Sequence, residues 1–530
     1  MPQSPEITVG FGSKVTVGDV AEVARRRIPA RLNDLAIPKV EKSNRTLWNY
    51  VERRVPIYGL STQFGDQVGM VDNHINEKSP EDYRRLIKDR QLNLVLSHNC
   101  GLGDEAPVEA VRATMLLRAH CLGQGYSGVR LKVVESLLNF VNNDVCPVVR
   151  QYGSIGASGD LIPLSAIAAA LIGENVEAWC GGERMMMVDV RRKLITPALE
   201  LEGREGLALI NGTSFMTAMT ALSVVDLEVL FHNMLVGISI CLECLSVIDS
   251  AYDPLVHKLK NHSGSVEIND FILNAWKESK LIRRLDDERI RVGNGKATLQ
   301  PSVEMNNLQD YYSLRSVPQG FGPFKENLER CLRWIEEEVN SVNDNPIIDA
   351  DKKQIYHGAN FMGYYVTEAC DLLKMDIAQA STWLHAILAN LVHPRKNFGL
   401  PTNLVEKSNI YSGFRPIQIL AAALAVENRK LAQSHQAFML PTEGDNQDVN
   451  SLGTHASFDL KTSITNLSRL TAIILLAGVQ AVELRGLDRV SLLAQRVHKI
   501  VRGFSPALVR DRSLASDMES LAKWLRESKL

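Results

Sequence analysis

The sequence predicts a mainly α-helical protein built on a central bundle of long helices, with a small mixed part at its N-terminal end. Three observations predict it. Apolar residues recur at helical spacing over long stretches at 361–391, 416–435 and 458–484. The run 222–248 is apolar on nearly every face, but Asp226, Glu228, His232, Asn233 and Glu243 interrupt it. That pattern describes a buried bundle helix better than a membrane span. The composition, 45% hydrophobic and 23% charged over 530 residues, is that of an ordinary core-forming chain.

In chain order, 7–9 and 14–17 read as a short strand pair, followed by a charged amphipathic helix that runs to about residue 56. Residues 55–65 read as a loop made mobile by Gly59 and Gly65, and 66–80 as a polar surface segment or lid component. Helical periodicity resumes at Glu81, stops at Gly101-Leu102-Gly103 and resumes at Pro107. Residues 175–201 read as a small excursion with short strands, and 206–213 turn into a helix reaching about residue 249. These elements suggest an N-terminal region 1–205, a long-helix region 206–490 and a helical tail 491–530. We find no internal repeat or low-complexity segment.

With 59 basic against 61 acidic residues, the net charge of -2 supplies no basic surface for nucleic acid or anionic membranes. Residues 1–25 lack a basic flank followed by an apolar core, so a signal peptide is not expected and the expected location is cytoplasmic. The eight scattered cysteines then read as reduced thiols. Cys241 and Cys244 form a lone C-x-x-C in an apolar helix, where core packing outweighs zinc because no second ligand pair has matching spacing. No metal is called for.

The chain is organised around Gly153-Ser154-Ile155-Gly156-Ala157-Ser158-Gly159-Asp160, a loop of small residues running into an apolar helix. Small residues there allow close backbone approach. A phosphate cradle is one reading, but the P-loop and dinucleotide spacings are missing and Asp160 would repel phosphate. A nucleophilic Ser158 is another, with His98 or His357 as base, although the G-x-S-x-G elbow lacks its last glycine. The third reading is backbone chemistry. The nitrogen of Gly159 attacks the carbonyl of Ala157, and loss of water and of the Ser158 hydroxyl leaves 4-methylidene-imidazol-5-one, an electrophile. A plain glycine turn before a helix is the bland alternative for this tripeptide in isolation.

Other polar motifs interrupt apolar helices. Gln309, Tyr312 and Arg315 stand at i, i+3 and i+6, close to one helix face. Asn343-Asp344-Asn345 reads as a capping or Asx turn and lacks calcium-loop spacing. His357-Gly358-Ala359-Asn360-Phe361 opens a helix, and Gly444-Asp445-Asn446-Gln447-Asp448 opens or breaks another.

With Tyr58-Gly59, Phe64-Gly65, Ser97-His98, 156–161, Ile210-Asn211-Gly212-Thr213, Tyr312-Ser313-Leu314-Arg315 and Asn446-Gln447-Asp448 in this order, the chain resembles the aromatic amino acid ammonia-lyase and 2,3-aminomutase family, which includes histidine ammonia-lyase. The resemblance spans roughly residues 15–500.

It implies a homotetramer of mostly helical subunits, active sites built from three chains, and the prosthetic group formed from Ala157, Ser158 and Gly159, with no metal or diffusible cofactor. It makes Tyr58 the base for the Cβ proton, provided the site lowers its pKa. Arg315 would hold the substrate carboxylate bidentately. Asn211, Tyr312 and Gln447 would orient the prosthetic group, carboxylate and amine, while Gln309 shares the Arg315 face and Phe361 lines the pocket. His98 would read the substrate ring, favouring L-tyrosine or a similar polar ring and a trans-cinnamate-type product. Gln63 replaces the family's usual glycine, and 66–92 is longer than in simple lyases. A changed lid that retains the product would permit re-addition of ammonia at Cβ, the 2,3-aminomutase outcome giving a β-amino acid.

Overall fold

A computed structural model of the chain describes residues 6–69, 78–287 and 309–530. It is mainly helical, as the apolar periodicity predicts. The long helices span Ser214–Cys244, Val317–Val339, Tyr364–Val392, Arg415–Leu431 and Gly453–Arg485. The strands are short and fall into sheets of two or three. Two compact units interleave along the sequence. The first comprises Met1–Val225, Leu332–Asp371 and Ser434–Phe458; the second comprises Asp226–Cys331, Leu372–Gln433 and Asp459–Leu530.

In the first unit, Ile7–Val9 forms a strand, but its partner is Ala30–Leu32, in parallel. The expected strand at 14–17 is instead a helix start. Thr16 caps the Val17–Arg26 helix in a capping box with Asp19, a local signal that outweighs the β-branched residues around it. The excursion at 175–201 forms strands Glu177–Cys180 and Glu183–Met186, then the Met187–Leu194 helix. Gly101-Leu102-Gly103 stops a helix as expected, and strand Leu102–Glu105 follows. Part of the polar segment at 66–80, residues 70–77, lies outside the described residues.

Asn343-Asp344-Asn345 does not cap a helix. The Asp344 carboxylate takes both Nη groups of Arg204 at 2.6 and 2.8 Å, and both residues are fully buried. Asn343 Oδ1 accepts from Arg118, and Asn345 Oδ1 accepts from the Gly358 amide. The density of amides and carboxylate that suggested an Asx turn serves a buried ion pair. Removing one partner strands the other's charge, so Asp344→Ala should cost about 3–5 kcal/mol. The measurement is a thermal melt, which should show a clearly earlier transition.

In the second unit, glycines allow helices to approach closely. A Cβ on Gly237 would lie 3.2 Å from Ile474, and one on Gly478 would lie 3.2 Å from Cys241 Sγ. Cys241 and Cys244 are buried there, and burial pushes both thiols well up, as core packing requires. The helix expected to reach 249 stops at Cys244, where Arg485 Nε donates to its carbonyl and Ser246 turns left-handed. Ser214–Cys244 and Gly453–Arg485 are long and apolar enough to cross a membrane, but 72% and 83% of their most apolar windows are buried inside the structure. They serve as core helices of this fold.

Candidate active site

The Gly153–Asp160 loop lies in the first unit and is held from several sides. Gly156 and Gly159 both adopt φ +70°, a conformation that suits glycine. Gly156 O accepts from the Ser451 hydroxyl at 3.1 Å, and Leu452 N–H donates to Ile155 O at 2.9 Å. Gly159 forms an isolated β-bridge with Gly212, and Asp160 N–H donates to Gly212 O at 2.8 Å. A Cβ on Gly159 would sit 2.2 Å from that same oxygen. Only glycine fits there.

Ser158 is gripped at both oxygens. Asn211 Nδ2 donates to its carbonyl at 3.0 Å, and Gln447 Nε2 donates to its Oγ at 3.2 Å. Gln447 is oriented in turn by the Thr442 hydroxyl, 2.8 Å from Oε1. Asn211 itself is buried, and among the described residues its Oδ1 has no hydrogen-bond partner, an acceptor left open beside the tripeptide. Asp160 is fully buried and accepts from the Phe215 and Met216 amides at the start of the Ser214–Cys244 helix, and from Ser154 and Thr454. Burial pushes its carboxyl up to about 6 despite those bonds. Among the described residues the serine-hydrolase reading gains no base: the Ser158 Oγ partner is the Gln447 amide, and neither His98 nor His357 is bonded to that oxygen.

Tyr58 sits between Ile57 and Leu60, which plunge into a core with Leu47, Val51, Tyr83 and Ile87. The fully buried Gln91 bridges Gly59 O at 2.7 Å and Leu207 N at 2.8 Å. The two glycines also serve close approach. A Cβ on Gly59 would lie 2.6 Å from Leu207, and one on Gly65 would lie 2.1 Å from Glu443 Oε2. The Tyr58 hydroxyl accepts from Gly65 N–H at 3.1 Å, and Tyr58 N–H donates to His357 Nε2 at 3.2 Å. Phe64 packs edge-on against the Tyr58 ring.

The sequence reading requires the site to lower the Tyr58 pKa, and the structure does the reverse. Burial raises it, the Gly65 amide pulls it down in part, and the Glu443 charge raises it further. The Glu443 carboxyl is itself raised, mainly by burial, with His98 pulling it down and Asp66 pushing it up. Sequence reasoning missed Glu443, a single acid in a polar turn that no spacing marks. Glu443→Gln removes a charge that disfavours the Tyr58 phenolate. The Tyr58 pKa should therefore fall, visible by ultraviolet titration against the same variant also carrying Tyr58→Phe.

His98 ends the Pro80–His98 helix, with Nδ1 2.8 Å from the Leu94 carbonyl. A carbonyl only accepts, so Nδ1 carries the proton and Nε2 is left as an acceptor in the neutral ring. Phe361 is half-buried in the turn before the Tyr364–Val392 helix.

Gln309, Tyr312 and Arg315 belong to the second unit, and they do not share a helix face. The helix is one short turn, Tyr312–Arg315, that begins after Gln309. A non-helical Ser316 separates it from the next helix, so the i, i+6 spacing has no continuous helix to act along. Gln309 and Arg315 nonetheless line one cavity of about 300 Å³ with Asp310, Ile248 and Ser250. Among the described residues Arg315 Nε is buried without a hydrogen-bond partner, its guanidinium stacks 4.6 Å from the Tyr312 ring centroid, and Tyr312 is 75% exposed.

Comparison with known proteins agrees with this geometry. The model of the aromatic amino acid lyase family matches residues 15–503. A histidine ammonia-lyase of Caldanaerobacter subterraneus is 33% identical over 519 residues, covering 98% of this chain and 96% of the relative. A tyrosine 2,3-aminomutase of Chondromyces crocatus is 35% identical over 492 residues, covering 92% and 90%. The solved tyrosine aminomutase of Streptomyces globisporus superposes with a TM-score of 0.91 at 30% identity, over 99% of this chain and 97% of that one. A Gly-rich loop whose Ser158 is held at both oxygens by Asn211 and Gln447, in a chain matched nearly end to end by these enzymes, makes the chain a member of the aromatic amino acid lyase family of ammonia-lyases and aminomutases.

Proposed function

We propose that this chain eliminates ammonia from L-tyrosine, or a related aromatic L-amino acid, to give the trans-cinnamate-type acid. One observation carries the reading: Ser158 is fixed at its carbonyl by Asn211 and at its hydroxyl by Gln447, in a loop whose next residue can only be glycine. The residues fit a 4-methylidene-imidazol-5-one formed from Ala157, Ser158 and Gly159. The open Asn211 Oδ1 and the Gln447 amide line the place where the tripeptide lies. That group would supply an electron-poor carbon that captures the substrate amine and makes it a better leaving group.

This chain's own residues do the rest. Tyr58 removes the Cβ proton as phenolate, with its oxygen steadied by the Gly65 amide. Arg315 binds the substrate carboxylate, and its unpartnered Nε, in a cavity shared with Gln309, supports that role. Tyr312, Asn211 and Gln447 orient the reacting groups, Phe361 lines the pocket, and His98 Nε2 accepts a hydrogen bond from a phenolic ring substituent. The resemblance further suggests a homotetramer with sites drawn from three chains.

A second reading, a tyrosine or phenylalanine 2,3-aminomutase giving a β-amino acid, is favoured by the Chondromyces relative, named a tyrosine 2,3-aminomutase, and the Streptomyces one, named a tyrosine aminomutase. The histidine ammonia-lyase relatives bring histidine as a substrate to test. Incubation with L-tyrosine, L-phenylalanine and L-histidine separately, with early products resolved, discriminates among these. The main reading expects 4-hydroxycinnamate from tyrosine as the first product. A β-amino acid appearing first would replace the lyase by the mutase, and preferential turnover of histidine would overturn the ring assignment.

A further inference from the structure

The turn that covers Gly159 is itself braced from behind by two groups outside the proposed chemistry. Arg118 is 1% exposed and donates Nη1 to Asn211 O at 2.8 Å and to Asn343 Oδ1 at 3.3 Å. Its Nη2 reaches Cys121 Sγ at 3.0 Å, while Nε has no hydrogen-bond partner. Among the described residues, no carboxylate pairs with it. A buried cation served by neutral acceptors is costly, and packing alone does not ask for one. Gly212 packs so tightly on this group that a Cβ there would lie 2.1 Å from Arg118 Nη1. On the next residue, the Thr213 hydroxyl donates to Glu338 Oε1. Glu338 is partly exposed, but its carboxyl end is desolvated and its pKa is raised.

We propose that Arg118 and Glu338 are positioning residues for closure of the Ala157-Ser158-Gly159 ring, acting through the Asn211-Gly212-Thr213 turn. The inference rests on the proposed function. Closure requires the Gly159 nitrogen to bond the Ala157 carbonyl carbon. One water leaves with the Ala157 oxygen and the protons from the Ser158 and Gly159 nitrogens. A second leaves with the Ser158 hydroxyl and its Cα proton. No oxidant or outside reagent is needed. An extended backbone keeps that nitrogen and carbon apart, so the loop has to be held bent. The turn does this on one side: Asn211 holds Ser158 O, and Gly212 sits against Gly159. Asp160 anchors the same turn through its own amide on Gly212 O and its carboxylate on the Phe215 and Met216 amides. Arg118 and Glu338 prevent the turn from yielding backward.

The test compares the full-length protein with Arg118→Gln, Thr213→Val, Glu338→Leu and Glu338→Gln. Each is digested, and the peptide spanning 157–159 is weighed, with a thermal melt in parallel. The unsubstituted protein should give a peptide lighter by two waters. Arg118→Gln, Thr213→Val and Glu338→Leu should raise the uncyclised fraction roughly tenfold or more in soluble, cooperatively melting protein. Glu338→Gln keeps an acceptor for Thr213 and should close normally, which a merely destabilising change at Glu338 would not predict. Complete closure in folded Thr213→Val and Glu338→Leu overturns this inference and leaves the proposed function standing. An uncyclised peptide from the unsubstituted protein instead sinks the proposed function itself. Should Arg118→Gln fail to fold, the Thr213 and Glu338 variants decide alone.

Discussion

Ser158→Ala is expected to lower kcat on L-tyrosine by on the order of 10³-fold or more, the scale on which loss of a covalent catalyst acts. Without the hydroxyl the second water has nothing to leave from, so no exocyclic methylidene forms and the amine keeps its poor leaving ability. The variant should fold, because the left-handed glycines Gly156 and Gly159 and the bonds to Ser451 and Gly212 set the loop's shape without the Ser158 side chain. Steady-state kinetics together with the mass of the tripeptide provide the check. Turnover near that of the unsubstituted enzyme would refute the electrophile outright.

Tyr58→Phe is expected to lower kcat by roughly 10²–10⁴-fold, the usual contribution of a positioned general base. KM should change little, because the ring keeps its packing against Phe64 and loses only the hydroxyl bonded by the Gly65 amide. The pH dependence follows from the direction of the Tyr58 shift. Its pKa lies above the ordinary tyrosine value, held there by burial and then by Glu443. The phenolate is therefore a small fraction at neutral pH, and kcat should climb with pH well into the alkaline range. Stability has the matching sign. Below the ordinary tyrosine pKa the group is protonated whether the chain is folded or not, so its full contribution is present. That contribution is lost as pH rises through the raised folded value. A rate profile already flat at neutral pH would remove Tyr58 as the base.

Glu443 and Gln91 show why part of the site was illegible. Tyr58, Ser158, Asn211 and Gln447 stand in short motifs whose residue types already suggest chemistry, and the fold brings Asn211 and Gln447 onto Ser158. Glu443 has no such context. Its influence on Tyr58 exists because a turn hundreds of residues later lays its carboxylate against Gly65, where no Cβ intervenes. Gln91 looks like any polar helix residue until Gly59 O and Leu207 N are seen to need a partner at the same point. Gln309, Tyr312 and Arg315 have helical spacing but no shared helix face for a local reason: the helix lasts a single turn.

What the sequence by itself determined is the helical architecture and the ordered family motifs, with cyclisation at 157–159 one of the readings it leaves open. Apolar periodicity is a property of each segment alone, and the small residues of Ala-Ser-Gly leave room for the Gly159 nitrogen to approach the Ala157 carbonyl once the loop is bent. Only the tertiary structure decided the direction of the Tyr58 pKa, the burial of the Arg204–Asp344 pair and the bracing of the turn behind Gly159. Those depend on desolvation and on distances of a few ångströms between residues far apart in the chain, and neither quantity is written in any local pattern.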